Sequence, residues 1–463
     1  MTPIPNLRGA RVTVVGLGIE GIDLVCHLAS EGASVTVSDA RPREQLGDQL
    51  AAIAEVIERG AVTLSLGANR VADAVAADYV FASQGVPAEL PALRAAREAG
   101  VPVSSMTQLF LERCPAPVSG ITGSAGKTTT TALVGAMLDA AGVDHVVGGN
   151  IGVGLLSLLP LVRPDTRVVI ELSHTQLASV DRSPHLACVT NVTPNHLDRF
   201  SWDEYVGLKR RIFAFQGADD TAVFNLDDEV CAGFAAQAPG RVLGTARRRD
   251  IPGDGALLRG DAVVARRHGE ERALLRRDEI PLRGNHNVEN VLSAVAVAGE
   301  LAIADAAIAA GVRGFRGVPH RLEHVATVAG VTYVNDSIAT TPERTLAGMR
   351  SYQGPLVLLL GGRHKDLPLG ALAAEAARRC RAVITFGEHG PLFADAVRAR
   401  AAGGTPAVLE VATVAEAVRA AADAARDGDV VLFAPSGTSF DAFRNFEARG
   451  QAFRDAVAAL ERR

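Results

Sequence analysis

Lysine is nearly absent from this chain. Among its 47 lysine and arginine residues, only Lys127, Lys209 and Lys365 are lysine. A lysine kept in such a background can mark chemistry that arginine does not supply, because a buried ammonium group loses its proton far more readily than a guanidinium. Chance retention at solvated positions explains three lysines equally well, so the choice depends on the motifs around them.

Other residue classes are also scarce. Five scattered cysteines form no Cys-x-x-Cys pair, which is typical of buried thiols in the reducing cytoplasm, where we expect this protein. The apolar runs are only as long as strands, and the first residues lack a charged segment before an apolar core. We therefore expect neither a signal peptide nor membrane insertion. A net charge of −5 without a basic tract argues against a nucleic-acid partner.

The abundant residues are apolar or small. Apolar residues make up 48% of the 463 positions and glycine accounts for 46, a composition that sustains large cores and suits helices packed on sheets. A chain of this length predicts about three domains. Strand-like runs alternate with helical patterns, so we expect an α/β fold with mostly parallel sheets.

The stretch from Val118 to Thr131 carries the strongest motif. An apolar run is followed by the turn Gly123-Ser-Ala-Gly-Lys-Thr128 and then by a helical pattern. This order presents backbone N–H groups to phosphate; Lys127 would reach the β- and γ-phosphates, and the Thr128 hydroxyl would bind Mg²⁺. Ile121 stands where the general phosphate loop has its first glycine. An ordinary glycine-rich turn is the alternative, but Gly-Lys-Thr opening a helix directly after a buried strand favours the phosphate loop.

A second glycine-rich turn, Gly16-Leu-Gly-Ile-Glu-Gly21, follows a predicted strand over residues 11–15. The next predicted strand begins at Ser34 and ends at Asp39. This pattern fits the dinucleotide-binding fingerprint, with Asp39 where such folds hold the ribose of NAD. The fingerprint alone is weak, since similar turns bind other nucleotides or no ligand. We expect this first domain to end near residue 106.

Further polar residues follow predicted strands, at the sheet edge where α/β folds bind ligands. Glu171 ends a strand and is a candidate metal ligand, although a carboxylate in this position is ordinarily a surface residue. His196 follows a strand predicted over Leu186 to Val192. We interpret residues 240–283 as a peripheral β segment and predict an alanine-rich helix from Asn290 to about Ala310. Candidate site loops in the last third of the chain are 335–340, 361–365 and 434–440.

Six motifs occur in order: Gly120-Ile-Thr-Gly-Ser-Ala-Gly-Lys-Thr-Thr129, Glu171-Leu-Ser-His-Thr-Gln-Leu177, Asn191-Val-Thr-Pro-Asn-His-Leu-Asp198, His286-Asn-Val-Glu-Asn290, Pro319-His-Arg-Leu-Glu323 and Asn335-Asp-Ser-Ile-Ala-Thr340. Together they resemble the Mur ligase family, the ATP-dependent amide ligases of peptidoglycan precursor synthesis. With the N-terminal glycine-rich turn, the chain is most similar to the branch that adds D-glutamate.

The resemblance covers the whole chain and implies three α/β domains. Residues 1–106 would be a Rossmann-like domain that binds UDP rather than NAD. Residues 107–317 would be a central P-loop ATPase domain with a mostly parallel sheet. Residues 318–463 would be a C-terminal Rossmann-like domain that binds glutamate, and the family implies a monomer.

The resemblance also implies the reaction. ATP phosphorylates the alanine carboxylate of UDP-N-acetylmuramoyl-L-alanine, and the amine of glutamate then attacks the acyl phosphate, with two Mg²⁺ ions offsetting charge. Lys209 corresponds to a family lysine that becomes a carbamate, a change that requires a neutral amine and that arginine does not undergo. Lys127 and Lys365 also fall in motifs, Lys365 where the family faces glutamate, so chance retention becomes the weaker explanation.

The family pattern assigns a role to each matching residue. By resemblance, the catalytic residues are Lys127, His196 and Lys209, and the metal ions are held by Thr128, Glu171, His196 and Lys209. The resemblance implies that the nucleotide is bound by Gly123, Ser124, Gly126, Lys127, Thr128, Thr129, Asn287, Asn290, Arg321 and Asp336. It also implies that UDP is bound at Gly18, Ile19, Asp39 and Arg41, and that the remaining substrate contacts are Asn150, Ser173, Thr340, Lys365, Ser439, Phe440 and Phe446.

Three positions depart from the family pattern. Ala125 stands where the family usually has Asn, and Asn195 where an acidic residue often precedes the histidine. Ile338 stands where D-glutamate ligases often have lysine, which leaves L-glutamate open as the amino acid. Two other classes remain as alternatives. A nicotinamide-dependent oxidoreductase leaves the phosphate loop unexplained, and a P-loop ATPase switch or binding module leaves the loops of the third domain unexplained.

Overall fold

The computed structural model describes residues 4–149, 154–195, 200–282, 284–365, 367–401 and 404–462. The chain forms two compact units, Met1–Phe315 and Arg316–Arg463. Two of the predicted site residues, Asn150 and His196, lie outside the described residues. Within the part of the chain that is described, no helix combines the length and the apolar character needed to cross a membrane.

The first sheet is parallel throughout and has the strand order 3-2-1-4-5, as in one half of a doubly wound nucleotide-binding fold. Its strands are β1 (Arg11–Val15), β2 (Ser34–Asp39), β3 (Val62–Leu66), β4 (Tyr79–Ala82) and β5 (Val103–Ser104). The helices are α1 (Ile19–Ser30), α2 (Gly47–Ala52), α3 (Ala54–Glu58), α4 (Val71–Val75), α5 (Pro91–Glu98) and α6 (Met106–Arg113), with a 3-10 helix at Arg43–Gln45. The predicted Rossmann-like fold of this region is confirmed.

The second sheet of the first unit has nine strands in the order 14-13-12-11-10-9-6-8-7. Its strands are β6 (Val118–Thr122), β7 (His145–Gly149), β8 (Arg167–Glu171), β9 (Leu186–Val189), β10 (Thr221–Asn225), β11 (Arg241–Ala246), β12 (Gly255–Arg259), β13 (Ala262–Arg267) and β14 (Glu270–Arg276). Pairing is parallel from β7 to β12, and β13 and β14 are added as antiparallel strands at one edge. The peripheral β segment predicted over 240–283 is therefore present.

The helices of this region are α7 (Lys127–Ala141), α8 (His174–Ala178), α9 (Trp202–Ala214), α10 (Glu229–Ala235), α11 (Asn285–Glu300) and α12 (Asp305–Gly314), with 3-10 helices at Leu156–Leu161 and Arg277–Glu279. The single helix predicted up to Ala310 is wrong, because the chain turns between α11 and α12, where Ala302 takes a positive φ of 60°. The strand predicted over Leu186 to Val192 is also too long, since β9 ends at Val189.

The second unit contains a six-stranded sheet in the order 15-16-20-17-18-19, parallel except for the pair β15–β16. Its strands are β15 (Glu323–Val328), β16 (Val331–Asn335), β17 (Leu356–Gly361), β18 (Cys380–Phe386), β19 (Ala407–Glu410) and β20 (Val430–Ser436). The helices are α13 (Pro342–Arg350), α14 (Gly370–Arg379), α15 (Gly390–Arg398), α16 (Val414–Ala424) and α17 (Phe446–Glu461).

Burial explains which runs became central strands. Every residue of β6 and β17 is buried, as expected for parallel strands covered by helices on both faces, whereas the edge strand β14 is mostly exposed. Alternate residues of β17 join different cores: Val357 and Leu359 pack with α16 and α17, and Leu358 packs with α13, α14 and α15. The carboxyl ends of these covered strands carry the loops described next.

Candidate active site

The turn between β6 and α7 requires glycine at two places. Gly123 has a φ of +153° and Gly126, the N-cap of α7, has a φ of +83°. A Cβ at Gly123 would collide with the Thr190 hydroxyl, and one at Gly126 would collide with the Asn290 amide. The first hydrogen bond of the helix runs from the Thr130 N–H to the Gly126 carbonyl at 2.9 Å. The N–H groups of residues 127–129 precede it and are the donors that a phosphate takes at a helix N-terminus.

The segment after β9 holds this turn in place. The Ser124 N–H donates to the Asn191 carbonyl at 2.9 Å, and the Ala125 N–H donates to Asn191 Oδ1 at 2.9 Å. The Asn191 amide in turn donates to the Ala125 carbonyl at 3.0 Å, and the Thr190 hydroxyl donates to the same carbonyl at 2.6 Å. These contacts use the backbone of Ala125, so the turn is fixed without the asparagine usual at that position.

Lys127 bends back over the turn that precedes it. Its Nζ donates to the Gly123 carbonyl at 2.9 Å and to the Ser124 carbonyl at 3.3 Å. The ammonium therefore lies beside the turn that is predicted to bind phosphate.

Lys209 is buried at the end of β6. Its side chain is 1% exposed, and Nζ donates to Thr122 Oγ1 at 3.0 Å. Burial holds the pKa of Lys209 well below its usual range and the positive charge of Lys127 adds to this shift, while the carboxylate of Glu171 opposes it. A lowered pKa favours the neutral amine, which is the form of lysine that reacts with electrophiles.

Glu171 is the last residue of β8 and is paired in register with Ile121 of β6 and Gly149 of β7. It is 1% exposed, so the surface-carboxylate alternative for this residue is wrong. The structure thus brings the phosphate loop, Glu171 and Lys209 together at the carboxyl ends of adjacent strands. The described residues contain no group of three histidine, cysteine, aspartate or glutamate side chains that would form a complete cage for a metal.

Mg²⁺ fits this donor set. It prefers oxygen ligands, and it is commonly bound by one or two carboxylates together with substrate phosphates and water rather than by an all-protein cage. The Thr128 hydroxyl and the buried Glu171 carboxylate are oxygen donors of this kind, next to the turn that would hold the phosphates.

Tyr205 is a site residue that the sequence interpretation missed. Its hydroxyl lies 3.0 Å from Ser124 Oγ, and its ring centroid lies 5.6 Å from Lys209 Nζ. A capping box formed by Ser201 and Glu204 begins α9 and fixes the direction of the helix that carries both side chains. The available signal was the spacing, because residues four apart lie on one face of a helix.

Ser173 belongs to a contact between the two sheets of the first unit. Its hydroxyl accepts from the Gln176 N–H at 3.1 Å, capping α8, and accepts from Gln84 Nε2 at 2.5 Å. Gln84 also donates to the Thr175 hydroxyl, and its N–H donates to Glu20, which accepts from Gln176 as well. The position that resemblance gave to a substrate contact is thus also a link from the first sheet to the turn that follows Glu171.

Asn287 and Asn290 lie in the first two turns of α11. Asn290 Nδ2 donates to Asn287 Oδ1 at 3.1 Å, and Asn290 is 5% exposed. Since the Asn290 amide packs against Gly126, this residue supports the phosphate loop directly. Asn287 is the more exposed of the pair.

The glycine-rich turn after β1 is held by a buried carboxylate. Asp39 is 4% exposed; its Oδ2 accepts from the Leu17 N–H at 2.7 Å, and both of its oxygens accept from the Arg41 guanidinium at 2.8 and 3.0 Å. Burial opposes ionisation, but the hydrogen bonds from Arg41 and Leu17 outweigh it and hold the pKa of Asp39 below its usual value. At the same turn, Gly18 is the N-cap of α1, and Ile19 is 67% exposed.

We expect Asp39→Ala to lower the free energy of unfolding by about 1–3 kcal/mol, the usual cost of leaving a buried donor such as the Leu17 N–H without an acceptor. The depressed pKa means that this stabilisation is present at neutral pH and is lost as the pH falls through the folded-state pKa, below the ordinary 3.8. Denaturant unfolding at pH 7 measures the change. Asp78→Ala, which breaks an exposed pair with Arg11, is the control and should change much less.

The second unit carries the remaining predicted nucleotide residues. Asp336 lies just after β16 and is buried; its Oδ1 accepts from the Leu322 N–H at 3.1 Å. Burial raises the pKa of Asp336 to about 6, and the charges of Arg321 and Arg344 act in the opposite direction. Arg321 is exposed beside it. Asp336 is thus an acid placed at a strand end with nearby cations, as the family pattern implies.

The predicted glutamate residues lie on three loops of the same unit, except Phe446, which is the first residue of α17. Lys365 Nζ donates to Thr340 Oγ1 at 3.3 Å, Ser439 is 3% exposed, and Phe440 is 60% exposed. The Phe446 carbonyl accepts from the Ser337 hydroxyl at 2.8 Å. The structure therefore brings Thr340 and Lys365 into contact and ties the start of α17 to the loop after β16.

Arg449 is a second residue that the sequence interpretation missed. It is fully buried and donates to Ser337 Oγ at 3.1 Å, to the Ser337 carbonyl at 2.8 Å and to the Gly437 carbonyl at 2.9 Å. Burial lowers its pKa to about 10. It joins the loops after β16 and β20. Nothing in the sequence distinguishes this arginine from the many others.

This chain is similar to known proteins over nearly its full length. Three domain families match the chain: the Mur ligase MurD-like N-terminal domain over residues 10–105, the Mur ligase middle domain over 121–298, and the Mur ligase glutamate ligase domain over 320–437. Curated relatives of nearly full length include the UDP-N-acetylmuramoylalanine--D-glutamate ligase of Symbiobacterium thermophilum, 42% identical over 97% of this chain and 98% of the relative. The enzyme of the same name from Acidobacterium capsulatum is 39% identical over 98% of this chain and 97% of the relative.

Solved structures share the fold. A UDP-N-acetylmuramate-alanine ligase from Thermotoga maritima aligns with a TM-score of 0.54 at 18% identity, covering 97% of this chain and 99% of the other. A murein peptide ligase from Psychrobacter arcticus aligns with a TM-score of 0.51 at 18% identity, covering 98% and 99%. At 18% identity, these solved structures show only that the fold is shared. The matched domain families and the full-length relatives show common descent. The chain belongs to the Mur ligase family.

Proposed function

We propose that this protein is an ATP-dependent, ADP-forming ligase that joins D-glutamate to UDP-N-acetylmuramoyl-L-alanine in peptidoglycan precursor synthesis. The names of the full-length relatives support this substrate pair. The single observation that carries the chemistry is the burial of the Lys209 amine against Thr122, next to the phosphate loop of Lys127, where burial lowers the pKa of Lys209. A nucleotide switch needs the loop but has no use for such an amine.

We assign one ligand to each of three segments of the chain. Residues 1–106 bind the UDP group at Gly18, Ile19, Asp39 and Arg41, residues 107–317 bind ATP, and residues 318–463 bind glutamate. The three matched domain families support these boundaries. The Asp39 carboxylate is already used by Leu17 and Arg41, which favours a role in shaping the turn over direct capture of an NAD ribose.

In the proposed reaction, the alanine carboxylate of the acceptor attacks the γ-phosphorus of ATP, and the bond to the β-phosphate oxygen breaks to release ADP. The amine of glutamate then attacks the acyl carbon, phosphate leaves, and the amine loses a proton as the amide forms. Lys127 and the N–H groups of residues 127–129 hold the phosphoryl oxygens where charge develops. Bound Mg²⁺, which we propose as two ions held by Thr128, Glu171, His196 and Lys209, supplies charge neutralisation.

We further propose that Lys209 carries a carbamate. Its neutral amine adds to CO₂ and releases one proton, which turns an amine into an anionic oxygen ligand. Burial and the neighbouring Lys127 favour the neutral amine that this step requires. The product carboxylate would lie beside Thr122 and Glu171, where a cation site with oxygen donors is proposed.

Within residues 318–463, the proposed nucleotide-binding residues are Arg321 and Asp336. The proposed glutamate-binding residues are Thr340, Lys365, Ser439, Phe440 and Phe446. The contact between Lys365 and Thr340 supports a site that offers a cation and a hydroxyl donor together. Joining L-glutamate to the same acceptor is the alternative, because Ile338 supplies no charge.

One assay tests the proposed function. Release of ADP and phosphate should require UDP-N-acetylmuramoyl-L-alanine and glutamate together, and release with ATP alone would favour the P-loop switch instead. We expect product with D-glutamate at a rate at least about tenfold that with L-glutamate at equal concentration, the discrimination that roughly 1.4 kcal/mol gives. Product analysis by mass spectrometry with each enantiomer separately measures this ratio. A preference for L-glutamate would replace the proposed substrate and leave the ligase chemistry in place.

A further inference from the structure

Arg344 lies in the first turn of α13, directly after the loop that carries Thr340. Its Nη1 donates to the Ile338 carbonyl at 3.4 Å, and the Nζ of Lys365 donates to Thr340 Oγ1 at 3.3 Å. The Thr340 N–H donates back to the Ile338 carbonyl at 2.9 Å, so residues 338–340 form a tight turn. Two cationic groups therefore contact one turn.

Three cationic side chains lie near this turn. Burial lowers the pKa of Lys365, and the charges of Arg344 and the buried Arg449 lower it further, so the three cations lie near one another. Two acids face these cations. Asp336 Oδ1 accepts a hydrogen bond from the Leu322 N–H, and the charge of Asp441 raises the pKa of Arg449. Within the described part of the chain, neither the Arg344 guanidinium nor the Lys365 ammonium forms an ion pair with a carboxylate.

Arg344 and Glu343 both lie in the first turn of α13. The helix dipole favours negative charge in this turn, so it opposes the Arg344 cation, and a bound carboxylate would offset that interaction. The structure adds an unusual neighbour. Ser436, fully buried, takes a φ of +66° and donates its N–H to the Ala339 carbonyl at 2.8 Å, yet its hydroxyl has no hydrogen-bond partner among the described residues. Strain and an unsatisfied donor beside the same turn are typical of a ligand site.

We propose that Arg344 binds one of the two carboxylates of the incoming dicarboxylic amino acid, while Lys365 binds the other. This inference rests on the proposed ligase function and adds a residue to its glutamate site. It gives the site two separate cations, although the side chain at position 338 is apolar. A guanidinium suits this task because it can take a carboxylate through two parallel hydrogen bonds.

The first test is steady-state kinetics of Arg344→Ala. Loss of a charged hydrogen bond should raise the KM for D-glutamate by about 10- to 100-fold, with kcat, and the KM for ATP, changed less than about threefold. Arg350→Ala, an exposed arginine in the last turn of the same helix, is the matched control and should leave all constants unchanged. If Arg344→Ala unfolds, as judged by thermal melting, Arg344→Gln replaces it and the same rise is expected.

The second test separates binding from a structural role. D-glutamine lacks the γ-carboxylate and D-isoglutamine lacks the α-carboxylate. If Arg344 binds a carboxylate, the penalty for one of these analogues in the wild type should shrink about 10-fold or more in Arg344→Ala. An unchanged KM for D-glutamate, or equal losses for glutamate and both analogues, would overturn the inference. A wild-type enzyme that needs both substrates for ADP release would still uphold the proposed function.

Discussion

Replacing Lys127 with alanine should abolish turnover while leaving the fold intact. The ammonium lies over the phosphate turn, bonded to the Gly123 and Ser124 carbonyls, from where it can move to phosphoryl oxygens. Removing one preorganised donor to developing charge typically costs about 10²- to 10³-fold in rate, and the loss here should be at least that large because the donor also carries a full charge. Coupled-enzyme detection of ADP, with both substrates present, measures the loss.

The control for Lys127→Ala is a measurement of the stability of the variant against thermal unfolding. The two hydrogen bonds that disappear each contribute only about 1 kcal/mol, and the sheet that carries the turn is set by burial of β6 and its neighbours. Thermal unfolding should therefore shift by a few degrees at most. Arg163→Ala removes an exposed cation paired with Asp144 and should leave both readouts unchanged. Near-normal ADP release from a folded Lys127→Ala protein would contradict the phosphate-loop assignment.

Lys209→Met should also eliminate activity. Methionine has a similar length but carries no amine that could add to CO₂, so the variant removes the proposed carbamate while largely filling the buried space. Lys209→Arg should be inactive as well, because a guanidinium keeps its positive charge and does not form a carbamate. Arg210→Ala, the exposed neighbour on α9, is the matched control. Full activity in Lys209→Arg would rule out the carbamate.

The carbamate itself has two direct readouts. With ¹³C-labelled bicarbonate, the wild-type protein should show a carbamate carbon resonance that is missing from Lys209→Met. Lys209→Ala, in which space is vacated, should regain part of its activity when a short-chain carboxylate is added. The absence of the resonance from an active wild-type enzyme would mean that Lys209 acts as an amine instead.

The lowered pKa of Lys209 also predicts a pH dependence of stability. In CO₂-free buffer, the unfolded lysine holds its proton up to about 10.5, whereas the folded one releases it at lower pH. Since the unfolded state binds more protons in this interval, the free energy of unfolding should rise with pH by up to about 1.4 kcal/mol per pH unit. Denaturant unfolding at several pH values should show this slope in the wild type and a smaller one in Lys209→Met.

Local signals in the sequence determined the elements of the fold. The phosphate turn was predictable because its positive φ values at Gly123 and Gly126 favour glycine, and an apolar run before it marks a strand buried on both faces. Such signals act through the backbone over a few residues. They failed where a local pattern continued past a turn, as in the helix that breaks near Ala302 and the strand that ends at Val189.

The candidate site was predictable only as a set of residue types. The scarcity of lysine singled out Lys127, Lys209 and Lys365, and all three have polar partners in the structure that suit their proposed roles. Family motifs supplied the proposed ligands, which remain predictions. No signal in the sequence selected Arg344 or Arg449 from the other arginines.

Tertiary structure alone decided the chemistry that these side chains can perform. Lys209 and Thr122 are 87 residues apart in the chain yet hydrogen-bonded in the fold, and burial at this place, together with the charge of Lys127, lowers the pKa of the lysine. The same holds for the Asn290 amide that closes on Gly126 and for the Arg449 guanidinium that joins two loops. The physical reason is that burial and electrostatic interaction depend on which atoms are near in space, and neighbours in space are chosen by packing of the whole domain.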